Sequence, residues 1–366
     1  MKKVNFAVMM FENGHAPYLM DALLREERAN VVAISVAPRY YEILNLKKYG
    51  DIPVYYSDKE MLEAHPEIEA CVCGGANHRH MEEFRMCAER GIHVISMKVP
   101  SLDMSEYDEM IRLSAEHKIV CSIELEMRWH AEVYRLKELI RSGALGKVQS
   151  FNAFNYSHFP MWWNTWMNDA EASYGKRVPL WPGSRRFRGG ALTDHPHIFD
   201  LARFLFESDY ECVYAEAAPS IREDAEVEDL LTIIGKLKNG VVISLDPSYA
   251  NREKKLFKRI SDDFSHYPRC VEVECSVFGD RACALVDLYG SALYAFQAKP
   301  ELTYEVWGAD PQFNDVRKLF LRNFIKQIRG ERFEDDMAVS LDKYRPIMEV
   351  VNACYESIFT GKTVYL

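Results

Sequence analysis

The first 125 residues alternate between two periodicities, and no other feature constrains the fold as tightly. Apolar strand-like runs (VNFAVMM, NVVAISV, EACVCGG, HVISMKV, KIVCSIEL) are separated by segments with helical spacing (PYLMDALLREER, KEMLEAHPEI, MEEFRMCAERG, MSEYDEMIRLSAEH). In the first helical segment, Leu19, Ala22 and Leu23 fall on one face. Strands that are apolar throughout are buried on both sides, so this run predicts an α/β domain: a parallel sheet covered by helices on both faces.

After VYRLKELIRSGALGKV the pattern changes. QSFNAFNYSHF alternates like a half-exposed strand, and CVYAEAAP, DLLTIIGKL, GVVISLD, CVEVECSVFG and ACALVDLYG follow with little helix between them. Asn239-Gly240 between two such runs is a hairpin signal. These features predict a second, α+β domain built on an open, mostly antiparallel sheet. VRKLFLRNFIKQIRG and YRPIMEVVNACYESIFTG return to helix. The expected domains are residues 1–125 and 126–366, with the C-terminal helices able to pack back on the first. No internal repeat is present.

A net charge of -10 argues against a nucleic-acid surface. The short basic run Asn251–Arg259 is followed by Asp262 and Asp263 and reads as a solvated face. The apolar part of MKKVNFAVMMFENG is too short to span a membrane, no small-residue cleavage site follows, and it reads as a first strand. The nine cysteines lack CxxC spacing, and Cys71, Cys73 and Cys121 sit in strand-like runs. That is reduced, buried usage in a cytoplasmic protein.

Polar chemistry concentrates in ALTDHPHIFDLARFLF (Ala191–Phe206), where Asp194, His195, His197 and Asp200 crowd the start of an amphipathic helix. Asp194 and His197 are three apart, which one helical turn places on one face. Pro196 suits a first turn, and Thr193 or Asp194 can cap it. An imidazole exchanges protons near neutral pH, and a carboxylate can orient it. His197 is therefore the candidate acid/base and Asp194 its partner, with Asp200 structural. A mixed metal set of Asp194, His195, His197 and His158 is conceivable, but neighbours two apart diverge on a helix, and no metal is expected. Lys98 closes a buried strand at the carboxyl edge of the sheet, where open α/β sheets bind ligands. It can polarise a reacting oxygen or be a surface lysine. The long segment His158–Gly190 holds Trp162, Trp163, Trp166 and Trp181 with Arg185, Arg186 and Arg188. Such residues stack on sugars and grip anions, and equally they pack subunit interfaces. With His195, Arg128 is a further candidate for lining a substrate pocket.

Four blocks, in order, carry a resemblance: CVCGGANHRHMEEFRMCAERGIHVISMKVP, RWHAEVYRLKELIRSGALGKVQSF, RGGALTDHPHIFDLARFL and VVNACYESIFTGKTVYL. Over almost its whole length the chain resembles the Gfo/Idh/MocA oxidoreductases, named for glucose–fructose oxidoreductase and inositol dehydrogenase. The resemblance implies a Rossmann domain binding NAD or NADP. It implies a second domain whose open sheet offers one face to substrate and the other to a partner subunit, giving a homodimer or homotetramer. It implies hydride transfer to or from a sugar, polyol or related derivative. Lys98, Asp194 and His197 fall on the family's catalytic positions, although Met97 replaces its glutamate and Val99 its proline. Gly75, Ala76, Asn77 and His80 fall beside the nicotinamide ribose. The cofactor turn MMFENGHAPY departs most: Met10 and Glu12 stand where glycines belong, leaving Phe11, Asn13, Gly14 and His15 to line it. The second strand ends at Val36 rather than an acid, and Arg39 can face a 2′-phosphate. Two rivals remain open. One is transient oxidation by tightly held NAD within an elimination or hydrolysis. The other is a non-catalytic ligand sensor.

Overall fold

The computed structural model describes residues 2–38, 46–157, 166–220, 223–249, 271–289, 292–297, 302–306 and 313–366. It divides into two compact units, Met1–Trp129 with Gln312–Arg345, and His130–Pro311 with Pro346–Leu366. Arg39, His158, Trp162, Trp163 and the basic run Asn251–Arg259 lie outside the described residues.

The first unit runs β1 (Val4–Met9), α1 (Ala16–Arg25), β2 (Ala29–Ser35), β3 (Val54–Tyr55), α2 (Asp58–Ala64), β4 (Ala70–Cys73), α3 (His80–Ala88), β5 (His93–Ser96), α4 (Met104–Glu116) and β6 (Cys121–Ile123). Its strands lie in the order β3-β2-β1-β4-β5-β6 and all pair parallel. The order reverses between β1 and β4, and a doubly wound sheet opens a crevice outside the carboxyl ends at such a point. The two-residue β3 was not visible as a strand in the sequence. Local signals set two helix starts: the Ser57 hydroxyl accepts the Glu60 N–H and begins α2, and Asp103 accepts the Ser105 N–H and begins α4. Met9 pairs with Cys73 across β1 and β4, so these side chains share a face with Cys71. Cys87 of α3 covers them, its Sγ 3.4 Å from Met9 Sδ and hydrogen-bonded with both other thiols.

The second unit contains α5 (Ala131–Arg141), β7 (Val148–Ser157), α6 (Ala170–Tyr174), α7 (Ala191–Asp194), α8 (His197–Phe206), β8 (Tyr210–Ala217), β9 (Leu231–Leu237), β10 (Val242–Asp246), β11 (Val271–Gly279), β12 (Ala282–Asp287), β13 (Ala292–Gln297) and β14 (Leu302–Val306). The chain then forms α9 (Phe313–Ile328) in the first unit, α10 (Leu341–Thr360) and β15 (Val364–Tyr365). The unit division falls inside α10 at Pro346, whose ring removes a helical N–H. The second sheet has nine strands in the order β14-β13-β12-β11-β7-β10-β9-β8-β15. Only β7 and β10 pair parallel in it, so it is mixed but mostly antiparallel. The expected hairpin joins β9 to β10, with Gly240 at φ +94° in its turn. Phe151 of β7 packs edge-on against Phe206 of α8 on one face. Tyr214, Ile234, Val242 and Phe278 are exposed. Among the described residues, no helix is long and apolar enough to cross a membrane.

Candidate active site

Lys98 lies two residues past β5 and is only 4% exposed. It faces a buried carboxylate. The Glu124 N–H donates to Ser96 O at 2.9 Å, which sets the residue just beyond β6. Its side chain accepts from Arg317 Nε at 2.8 Å and lies 2.8 Å from His15 Nδ1. Burial alone would raise the Glu124 carboxyl, but Arg317, His15 and Lys98 together hold it below its ordinary value. Glu126 lies 3.4 Å from Arg317, and its own carboxyl is pushed up by burial and by Glu124. Sequence reasoning missed Glu124, Glu126 and Arg317. The available signal was two acids, two apart, at the end of an apolar strand.

His80 is fully buried, with Nδ1 2.8 Å from Val99 O and Nε2 3.0 Å from Gly75 O. Burial pushes its pKa down to about 4, so the imidazole is neutral. It ties the loop after β4 to the loop after β5 and is a clamp rather than a proton carrier. Gly75 is needed there: a Cβ would sit 2.1 Å from Glu83 Oε1. Ala76 precedes the short turn Asn77–Arg79. Asn77 is buried, and neither its amide oxygen nor its amide nitrogen has a hydrogen-bond partner. That is unusual in a folded interior and marks a place for a ligand.

The turn after β1 is held by hydrogen bonds to the ends of β2 and β4. The N–H of Phe11 donates to Ser35 O, and those of Glu12 and Asn13 both reach Gly74 O, at 3.0 and 2.7 Å. The Met10 N–H donates to Ser35 Oγ at 2.9 Å, and Ser35 donates in turn to Asp58, whose carboxyl burial pushes up to about 6. His15 N–H is taken by Asn13 Oδ1. Met10 holds the positive φ, +37°, that a glycine would otherwise supply. A dinucleotide's pyrophosphate is gripped by the amides of such a turn. In this conformation the amides from Met10 to Asn13 are engaged, whereas both polar atoms of the Asn77 amide are open to a hydrogen bond. Arg128 is buried and donates to Asp336 O at 3.2 Å.

In the second unit, Asp194 and His197 do not share one helix as the spacing suggested. Asp194 ends the four-residue α7, His195 breaks it with non-helical torsions, φ -115° and ψ +48°, and His197 begins α8. Pro196 is the residue before α8, and neither Thr193 nor Asp194 caps it; the Thr193 hydroxyl instead donates back to Gly190 O at 2.8 Å. The proline forces this break: it has no N–H to donate back into α7, and it disfavours helical torsions in His195 before it. Asp194 accepts the Tyr249 hydroxyl at 3.2 Å and lies 3.5 Å from His195 Nε2. His195 Nδ1 lies 2.6 Å from Pro247 O. His197 and Asp200 are both buried. Arg186 lies 3.9 Å from Asp229, and Arg188 lies over the Tyr355 ring.

Sequence reasoning also missed Asn155, Ser157, Glu228, Tyr249 and Tyr355. Asn155 Oδ1 and Ser157 Oγ are buried without hydrogen-bond partners, on the face of β7 that carries Phe151 and Ala153. Polar residues at inward positions of an alternating strand were the overlooked signal.

Residues 133–284 match the GFO/IDH/MocA C-terminal domain. The chain carries a GFO/IDH/MocA C-terminal domain. The matched residues run from within α5 into β12, including the Asp194–His197 corner and Glu228. Among curated proteins, the chain is 26% identical over 206 residues to 2,7-anhydro-N-acetylneuraminate hydratase of Mediterraneibacter gnavus, covering 56% of this chain and 50% of that protein. It is 23% identical over 206 residues to myo-inositol 2-dehydrogenase of Thermotoga maritima, covering 55% and 56%. The matches therefore span about half the length of these relatives. Among solved structures it resembles aldose-aldose oxidoreductase of Caulobacter crescentus complexed with glycerol (TM-score 0.77, 19% identity, 100% of both chains). It also resembles an inositol dehydrogenase homologue of Azotobacter vinelandii complexed with NADH and myo-inositol (TM-score 0.76, 13% identity, 100% and 98%). At these identities the likeness shows the fold alone.

Proposed function

We propose that this protein is an NAD- or NADP-dependent oxidoreductase that moves hydride to or from a sugar, polyol or related carbohydrate derivative. The observation that carries the reading is Asn77: a buried amide with no hydrogen-bond partner, at the carboxyl edge of a doubly wound sheet. Asn77 would hold the cofactor, with the loops around Gly75 and Ala76 fixed by His80. A nicotinamide bound there would supply or accept the hydride. Lys98 hydrogen-bonds the reacting oxygen, and Glu124 keeps a negative charge beside its ammonium. His197 exchanges the hydroxyl proton, Asp194 and His195 orient it or the substrate, and Asn155 and Ser157 donate to or accept from further hydroxyls. The exposed apolar residues of the second sheet suit association with another copy as a dimer or tetramer. The described cysteines are all free, as suits a reducing cytoplasm.

Titrating the purified protein with NADH and with NADPH, followed by nicotinamide fluorescence and by melting temperature, tests the reading. One of the two should bind at or below millimolar concentration. Binding of neither, together with no reduction of either oxidised cofactor across a panel of polyols and aldoses, would leave a ligand sensor. A second reading is favoured by the hydratase relative at 26% identity: transient oxidation by retained cofactor with no net redox change. Nicotinamide that survives purification, without net turnover of added cofactor, would select it.

A further inference from the structure

The α7 segment that ends in Asp194 is only four residues long, so helix length cannot hold it in place. It is gripped from outside by one residue and a helper. Glu228 Oε1 accepts the N–H of Gly190 at 2.9 Å and of Leu192 at 3.2 Å. The backbone carbonyl of the same residue accepts the N–H of Ala191 at 2.9 Å. Tyr355 of α10 donates its hydroxyl to Glu228 Oε1 at 2.8 Å and accepts the N–H of Gly189 at 3.0 Å. All four backbone amides from Gly189 to Leu192 therefore end on Glu228 or Tyr355. The approach leaves no slack: a Cβ on Gly190 would sit 1.9 Å from Glu228 O, and Gly189 adopts φ +117°.

We propose that Glu228, assisted by Tyr355, is the positioning residue of the Asp194–His197 corner, and that gain or loss of its proton sets how firmly the corner is held. The inference rests on the reading that Asp194 and His197 act on substrate. Glu228 is fully buried, and its second oxygen has no hydrogen-bond partner, so a proton can sit there without displacing the three bonds on Oε1. With the proton on, Oε1 is a neutral carbonyl acceptor; with the proton off, the same bonds are charge-assisted and about twice as strong. Burial pushes the carboxyl up to about 7, against the opposing hydrogen bonds of Tyr355, Gly190 and Leu192. The other titratable or charged groups around it are Tyr249, Asp194 and Asp229 on one side, and Tyr174 and Arg188 against the Tyr355 ring.

The test follows the amide resonances of Gly189 and Gly190 in the full chain, isotope-labelled at glycine, from about pH 5.5 to about pH 8.5. The Gly190 amide should show one titration centred near 7, absent in Glu228→Gln, which keeps the acceptor but not the proton. Tyr355→Phe deletes a bond to the carboxylate and should move the midpoint upward. A flat Gly190 amide, or a titration that persists in Glu228→Gln, overturns the proposal. Should the glutamine variant fail to fold, an unmoved midpoint in Tyr355→Phe overturns it equally. None of these readouts needs cofactor or substrate. Full turnover in Asp194→Asn and His197→Asn would sink the catalytic reading while leaving the titration intact.

Discussion

Two tight turns do comparable jobs and are built in opposite ways. The turn after β1 keeps only Gly14 and is tied to the neighbouring strand ends: Met10 tolerates a positive φ, and the amides of Phe11, Glu12 and Asn13 are spent on Ser35 and Gly74. The turn before α7 has kept both glycines, and its amides are spent on one buried acid and one phenol. The first can vary in side chain because neighbouring backbone supplies its partners. The second cannot, because another backbone lies where a Cβ would go.

The comparison can be broken most severely at Lys98, which lies in the same unit as the first turn. Lys98→Met should lower turnover by about 100-fold or more while leaving the NADH titration unchanged. Unchanged turnover would leave the first unit with a binding edge and no reacting group.

Next in size is glycine replacement. Gly190→Ala places a methyl 1.9 Å from a backbone oxygen and should cost about 3 kcal/mol or prevent folding. Gly74→Ala, in the loop after β4 that accepts the first turn's amides, meets Met9 O at 2.9 Å and should cost less. Urea unfolding that gives equal losses would erase the distinction between the turns.

Acid–base behaviour sharpens it further. Folded, Glu228 keeps its proton up to about pH 7, whereas the unfolded carboxyl releases it near 4.5. Between those values the folded chain binds more protons, so this group's contribution to stability falls as pH rises and levels off above about 7. The full span is worth about 3 kcal/mol. Urea titrations of wild type and Glu228→Gln across that window should differ in slope, the variant being flatter.

The smallest effect concerns exposed left-handed residues. Lys118→Gly, at φ +54°, should stabilise by about 1 kcal/mol. Glu207→Gly, at φ +49°, should gain less because Glu207 pairs with Lys137 and Arg141. Equal gains would mean those surface pairs contribute nothing.

Long-period features were legible in the sequence. Five of the six parallel strands and the β9–β10 hairpin follow from hydrophobic period and turn residues, because burial on one or both faces dictates composition. Lys98, Asn77 and Asp194 were also visible, since each sits at a motif boundary. The single-helix placement of Asp194 and His197 failed because a proline that suits a first turn also ends whatever precedes it. Glu124, Glu228 and Arg317 escaped for another reason. Each acquires meaning from a partner more than 30 positions away in the chain, and spacing within one segment carries no trace of that pairing.

Cys71, Cys73, Cys87 and Cys121 lie inside the first unit, and Cys275 and Cys354 inside the second, all buried. A chemical clock is thereby built into each half. An alkylating reagent can reach these sulfurs only when the surrounding layer breathes, so the rate at which each is modified reports how often its own half opens. Mass mapping of the modified peptides would then rank the local loosening of the two halves without any engineered label.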